Sequence, residues 1–412
     1  MAKAKNELIC DFCGKSVKEV SKIFSAEEAH ICDECVGTCS DVLHKEELKK
    51  AKKEFQKGLS VPTKIKEHLD SYVIGQSDAK KVLSVALYSH YKRIDKPVFK
   101  NVEIEKSNIM LIGPTGSGKT LLAKSLAKIM DVPFAVADAT ALTEAGYVGE
   151  DVESILSRLL ASADFDIDRA QKGIIYIDEI DKIANKSESA TSGRDVSGEG
   201  VQQGLLKILE GGEVYVPVKG SRKSSSAETV LFDTSHVLFI CGGAFVGLAG
   251  DEKDKKKHKP KTMGFLSEES EKEDSEEIES KDLISFGLIP EFIGRIPVIA
   301  TLNPLTIEDL IRVLKEPKNA IIKQYQALFE LDGIDLEFND EALEKIAALA
   351  EEKGVGARGL RGIIEKIMLP LQYELPAKDD VGKCIITKEF IEGEAEVTLE
   401  FVKEEEKEKE NG

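Results

Sequence analysis

No stretch of this sequence stays apolar for the roughly 20 residues that a membrane-crossing helix needs. The longest candidate, Val237 to Gly250, is shorter and carries four glycines. The opening MAKAKNELICDFC also lacks the apolar segment of a secretory leader. The expected address is therefore the cytoplasm, with no membrane partner. Positive charge is in deficit as well: 57 Lys and Arg stand against 75 Asp and Glu, a net charge of −18. That balance argues against sequence-blind attraction to nucleic acid, so any contact with a polyanion must be local. No Ser-His-Asp or Cys-His constellation of a protease is evident, which argues against a self-contained peptidase.

What is present points to several packed domains. Hydrophobic residues make up 42% and charged residues 32% of 412, a balance suited to globular cores, and at about 150 residues per domain the length predicts two or three of them. Seven cysteines occur, and five (Cys10, Cys13, Cys32, Cys35, Cys39) fall in the first 40 residues, with Cys241 and Cys384 apart. In a reducing compartment such clustering favours metal over disulfides. Cys10-x2-Cys13 and Cys32-x2-Cys35 are separated by 18 residues, the spacing of a two-knuckle zinc site whose four thiolates leave no open position for catalysis. His30 and Cys39 lie nearby as spare ligands. Only Phe12 and Phe24 are aromatic there, so a base-stacking surface is poorly supported and protein contact is preferred.

Residues 1–52 read as this zinc-binding module, stapled by metal because it is too short for much of a core. Residues 53–62 read as a linker, at the end of a charged run with helical tendency. From 63 to 303, apolar runs at Asn108–Ile112, Ile174–Ile177 and Val237–Ile240 alternate with amphipathic stretches, which predicts an α/β domain with a parallel sheet. Residues 304–400 read as a smaller helix-rich domain with one strand-like segment, IDLEF, and with Asn339 placed to cap a helix. The insertion 251–282, a basic block followed by an acidic one, and the acidic tail 401–412 read as unstructured.

The segment Gly113-Pro114-Thr115-Gly116-Ser117-Gly118-Lys119-Thr120 fits the phosphate-loop pattern in full, between a buried strand and the helix LLAKSLAKIM. Its glycines let backbone N–H groups wrap a phosphate at a helix N-terminus, Lys119 supplies charge, and the Thr120 hydroxyl holds Mg²⁺. The strand Ile174–Ile177 ends in Asp178-Glu179 at the edge where nucleotide crevices form. Asp178 completes the magnesium shell, and Glu179 is placed to orient and deprotonate a water, which specifies ATP hydrolysis.

The zinc module followed by GPTGSGKT, YIDEIDKI, GYVGED, IPEFIGRIPV and GVGARGLR resembles the ClpX family of AAA+ unfoldases, over residues 6 to about 400. The resemblance implies an AAA+ domain, an ATPase assembled as a homohexamer, and delivery of tagged or adaptor-borne protein substrates through a central pore to the ClpP peptidase. It implies that Arg295 completes a neighbouring subunit's ATP site, that Arg358 senses nucleotide, and that Val73 and Ile74 contact adenine, although the residues alone read as core. Gly146-Tyr147-Val148-Gly149 resembles the pore loop, Tyr147 and Val148 being the grip. Arg222 and Lys223 match a pore-entrance loop that usually ends in His, where Ser224 stands here. Met263-Gly264-Phe265 resembles the tripeptide that docks on ClpP, with Met in place of the usual Ile or Leu. The polar position that AAA+ proteins commonly carry after the Val237–Ile240 strand reads Cys241-Gly242-Gly243 and stays unassigned. A remodelling chaperone without a peptidase, and a nucleic-acid motor, remain as alternatives.

Overall fold

In the computed structural model the described residues are 8–26, 29–40, 61–95, 98–99, 102–143, 150–185, 198–217, 229–248, 278–378 and 380–401. They form two units, residues 1–61 and residues 62–412. In the first, β1 (Ile23–Ser25) pairs antiparallel with β2 (His30–Cys32), and residues 33–40 are helical. Among its described residues the only buried hydrophobic ones are Cys10 and Cys32, and two cysteines make little of an apolar core.

The second unit opens with α1 (Pro62–Asp70), Pro62 taking the first helical turn where its missing N–H costs nothing. Then come α2 (Ser77–Asp95), β3 (Ile109–Ile112), α3 (Lys119–Met130), β4 (Phe134–Asp138), α4 (Ser154–Ser162), β5 (Ile174–Asp178), α5 (Glu199–Leu209) and β6 (Leu238–Gly243). The short α6 (Pro290–Gly294) and β7 (Val298–Thr301) complete this domain. The five long strands form one sheet in the order β7-β3-β6-β5-β4, every pairing parallel. IMLI of β3 and LFICGG of β6 are buried at every position, as central strands of a parallel sheet covered on both faces must be. The sequence expectation held for this sheet, with two refinements. Asn108 precedes its strand and is a buried cross-link. β6 runs on through Cys241-Gly242-Gly243, so the position expected after the strand lies within it.

The smaller domain contains α7 (Ile307–Lys315), α8 (Ile321–Leu331), β8 (Asp335–Phe338), α9 (Asp340–Glu352), α10 (Ala357–Glu374), β9 (Val381–Ile386) and β10 (Thr398–Phe401). Thr306 and Asp309 cap α7 reciprocally, and the Asn339 side chain accepts from the Ala342 N–H at 2.8 Å, the cap expected for α9. IDLEF is a strand, but one of three: β9 pairs with β8 in parallel and with β10 antiparallel. The helical pattern concealed this sheet because VGKCII is only six residues long and its buried positions, Val381, Cys384 and Ile386, do not follow a strict alternation.

The insertion expected to be unstructured through 282 requires correction at its end. A helix spans Ser280–Phe286, and the Asp282 carboxylate accepts from the Glu279 N–H at 2.9 Å. Leu283 is fully buried and anchors this helix to the core of the larger domain. Residues 249–277, and with them Met263, Gly264 and Phe265, lie outside the described residues, as do 41–60 and the tail from 402.

Candidate ATP and zinc sites

The phosphate loop leaves the carboxyl end of β3, with β7 on one side and β6 on the other, at the point where the strand order reverses. Gly116 and Gly118 take φ of +83° and +99°, values that a side chain would strain. A Cβ at Gly116 would lie 2.8 Å from the Val355 carbonyl oxygen. The loop therefore abuts the segment Val355–Ala357 that starts α10, and the exposed Arg358 follows directly on that helix. Val73 and Ile74 are both 5% exposed, and a Cβ at Gly118 would lie 3.9 Å from Val73 Cγ1. Two residues that sequence reasoning missed hold them there. The buried Lys80 ammonium donates to the Val73 carbonyl at 2.5 Å and pairs with Asp70 at 2.7 Å. Gln76 exchanges two hydrogen bonds with the Asn303 backbone.

Lys119 donates to the carbonyls of Gly113 and Pro114 at 2.6 and 3.0 Å. Burial holds its ammonium below the ordinary lysine range, against the carboxylates of Asp178 and Asp181. Phosphate oxygens offer the same ammonium stronger acceptors than those carbonyls. The Thr120 hydroxyl donates to Asp178 Oδ2 at 3.2 Å, which brings the two residues expected to hold Mg²⁺ together. Glu179 is exposed and left-handed, φ 55°, with its N–H turned back to Asp178 Oδ1 at 3.0 Å. Such a conformation costs a non-glycine residue on the order of 1 kcal/mol. Asp181, also missed, is 5% exposed and accepts from the Ala244 N–H at 3.1 Å, tying the acidic segment to the end of β6.

Arg295 follows α6 and pairs with Glu210 of its own chain at 2.9 Å. Its carbonyl accepts from the buried Asn108 side chain at 2.8 Å, and Asn108 also donates to Leu209 at 3.3 Å. Both ends of the Arg295–Glu210 pair are thus fixed to the sheet. Gly146, Tyr147, Val148 and Gly149 lie outside the described residues, but Leu142–Thr143 pairs parallel with Glu150–Asp151 and closes the feet of their segment. Arg222 and Lys223 are likewise outside, between the paired strands Glu213–Pro217 and Thr229–Asp233.

In the first unit the sulfurs of Cys10, Cys13, Cys32 and Cys35 lie within 4.8 Å of one another. Neither His30 nor Cys39 joins that group. The N–H groups of Cys32 and Cys35 point to the sulfurs of Cys10 and Cys32 at 3.3 and 3.4 Å, which favours thiolates, the form that binds zinc.

The strand order, the loop and the two carboxylates define a P-loop ATPase of the AAA+ class. The donor set fits ATP with Mg²⁺ at the loop and zinc at the four cysteines. Family models agree along the chain: the ClpX C4-type zinc finger matches residues 8–45, the AAA domain (Cdc48 subfamily) residues 104–299, and the C-terminal, D2-small domain of ClpB protein residues 305–386. The ATP-dependent Clp protease ATP-binding subunit ClpX 2 of Wolinella succinogenes is 56% identical over 393 residues, 95% of this chain and 97% of the relative. The ATP-dependent Clp protease ATP-binding subunit ClpX of Borrelia duttonii is 50% identical over 400 residues, 95% of this chain and 93% of the relative. The chain belongs to the ClpX family. It is an ATPase with ATP, Mg²⁺ and structural zinc as cofactors, and among the described residues no helix is long and apolar enough to cross a membrane.

Proposed function

We propose that this chain is an ATP-driven protein unfoldase, working as a ring of six that draws tagged proteins through a central pore and passes them to the ClpP peptidase. The observation that carries the reading is the contact of Gly116 with Val355–Ala357. A nucleotide held by Gly113–Thr120 also faces the start of α10, so a change in phosphate charge acts on two domains at once and can alter the angle between them. The relatives, both named ATP-binding subunits of an ATP-dependent Clp protease, support the partner.

Within one turnover Lys119 leaves its carbonyls for the phosphates. Thr120 and Asp178 hold Mg²⁺, which when bound neutralises charge on the phosphates. Glu179 takes a proton from the attacking water, and Arg295 reaches a neighbour's site to meet the charge that develops there. Tyr147 and Val148 grip the polypeptide, Arg222 and Lys223 attract it at the pore mouth, Met263-Gly264-Phe265 docks on the peptidase, and the zinc module receives adaptors. Val73 and Ile74 contact adenine, and Arg358 reads nucleotide state.

The test is degradation of a folded, tagged fluorescent protein. Loss of fluorescence is expected only when ATP, this chain and ClpP are all present. Degradation by the chain alone would overturn the reading.

A further inference from the structure

We propose that Tyr176 is a positioning residue of the magnesium site, its hydroxyl supplying from β5 the polar group that β6 lacks at Gly242. The inference deepens the ATPase reading and rests on the assignment of Thr120 and Asp178 to Mg²⁺. Tyr176 and Asp178 are two residues apart on β5 and so share one face of the strand, while Ile175 and Ile177 turn to the core on the other. The tyrosine ring is fully buried, and its hydroxyl donates to Asp178 Oδ1 at 3.0 Å. Oδ1 also accepts from the Glu179 N–H, which leaves Oδ2 to Thr120. Two donors on one oxygen fix both torsions of the carboxylate and leave the other oxygen to the threonine, the pair that would hold Mg²⁺.

The neighbouring strand is shaped around this hydroxyl. β6 pairs with β5 through Ile240 opposite Tyr176 and Cys241 opposite Ile177. At the next residue, Gly242, a Cβ would lie 2.1 Å from the tyrosine oxygen and 2.7 Å from Cζ. The tyrosine fills the volume that a side chain on β6 would need, and it brings a hydroxyl there. A residue chosen only to fill the core would serve as well as phenylalanine, whose ring has the same shape; only the hydroxyl touches Asp178.

The test is equilibrium binding of a methylanthraniloyl derivative of imido-ATP to the full chain, titrated with Mg²⁺ and repeated in EDTA. Tyr176→Phe should leave affinity in EDTA unchanged and raise the Mg²⁺ concentration for half-maximal tightening by about tenfold, the scale of a lost outer-shell hydrogen bond. An unchanged Mg²⁺ titration would overturn the proposal. Gly242→Ala pushes the hydroxyl aside without removing it and should give the same shift, which keeps the question open to test if the phenylalanine variant does not fold; wild-type behaviour there would refute the proposal equally. Asp178→Asn separates the two levels. If it abolishes the Mg²⁺ response while Tyr176→Phe does not, only the tyrosine assignment falls; if it changes nothing, the magnesium assignment falls with it.

Discussion

Removing the side chain of Gln202 should loosen the tie between the acidic segment of the ATP site and the segment that carries Arg295. Gln202 sits on α5 with no solvent exposure. Its amide donates to the Ile183 carbonyl at 2.8 Å and to the Gly287 carbonyl at 3.4 Å, and its oxygen accepts from the Ile289 N–H at 2.8 Å. The Gly287 carbonyl keeps a second donor, the Asn185 N–H at 2.9 Å. Gln202→Ala therefore strips the Ile183 carbonyl and the Ile289 N–H of this partner, at about 1–2 kcal/mol each. Lost packing adds about 1 kcal/mol. The sum, about 3–5 kcal/mol, should lower the thermal midpoint of the second unit by roughly 6–15 °C at about 2–3 °C per kcal/mol. Gln202→Met keeps the volume and should recover only the packing part. Because Ile289 precedes α6, ATP turnover should fall while nucleotide binding persists. Melting within about 1 °C of wild type would refute the reasoning, since buried groups left without partners cannot be that cheap.

Glu179→Gln should bind ATP as the wild type does and lose turnover, whereas Lys119→Ala should lose binding; comparable hydrolysis by the glutamine variant would remove Glu179 from its role. A strong zinc chelator should unfold residues 8–40 and leave nucleotide binding by the second unit intact, because the four sulfurs are the chief staple of the first; retention of its fold without metal would contradict this. His90 is buried, and that burial, together with Arg93 and Lys106 nearby, depresses its pKa from 6.5 to about 3. The unfolded chain then binds a proton that the folded chain refuses, so stability should drop as pH falls from about 6.5 toward 3, by at most about 1.4 kcal/mol per unit from this group. His90→Asn should flatten that slope in denaturant titrations; an unchanged slope would show that the histidine is not its source.

Much of the ATP site was legible because its chemistry demands consecutive residues: Gly113–Thr120 and Asp178-Glu179 each occupy one turn of chain beside one buried strand. The zinc cysteines were legible for the same reason, through paired spacing. What stayed hidden acts across the fold. Tyr176 reads as a core residue until Asp178 and Gly242 are seen beside it. Gln76, Lys80, Asn108, Asp181 and Gln202 carry no local pattern, since their partners lie on other elements, 227 residues away for Gln76 and Asn303. The sheet of the smaller domain escaped because its strands are short and one pairing is parallel, so no hairpin turn announces it.

The central claim, an ATP site completed by Arg295 from the next subunit, is tested most directly by mixing two inactive proteins. Arg295→Ala keeps its own Glu179 but offers no arginine to a neighbour, and Glu179→Gln offers the arginine but lacks the base. Each alone should hydrolyse almost no ATP. Mixed and allowed to reassemble, they should regain part of the wild-type rate at the interfaces that join an intact Glu179 to an intact Arg295. A mixture as inactive as its components, in rings shown to contain both, would contradict the account.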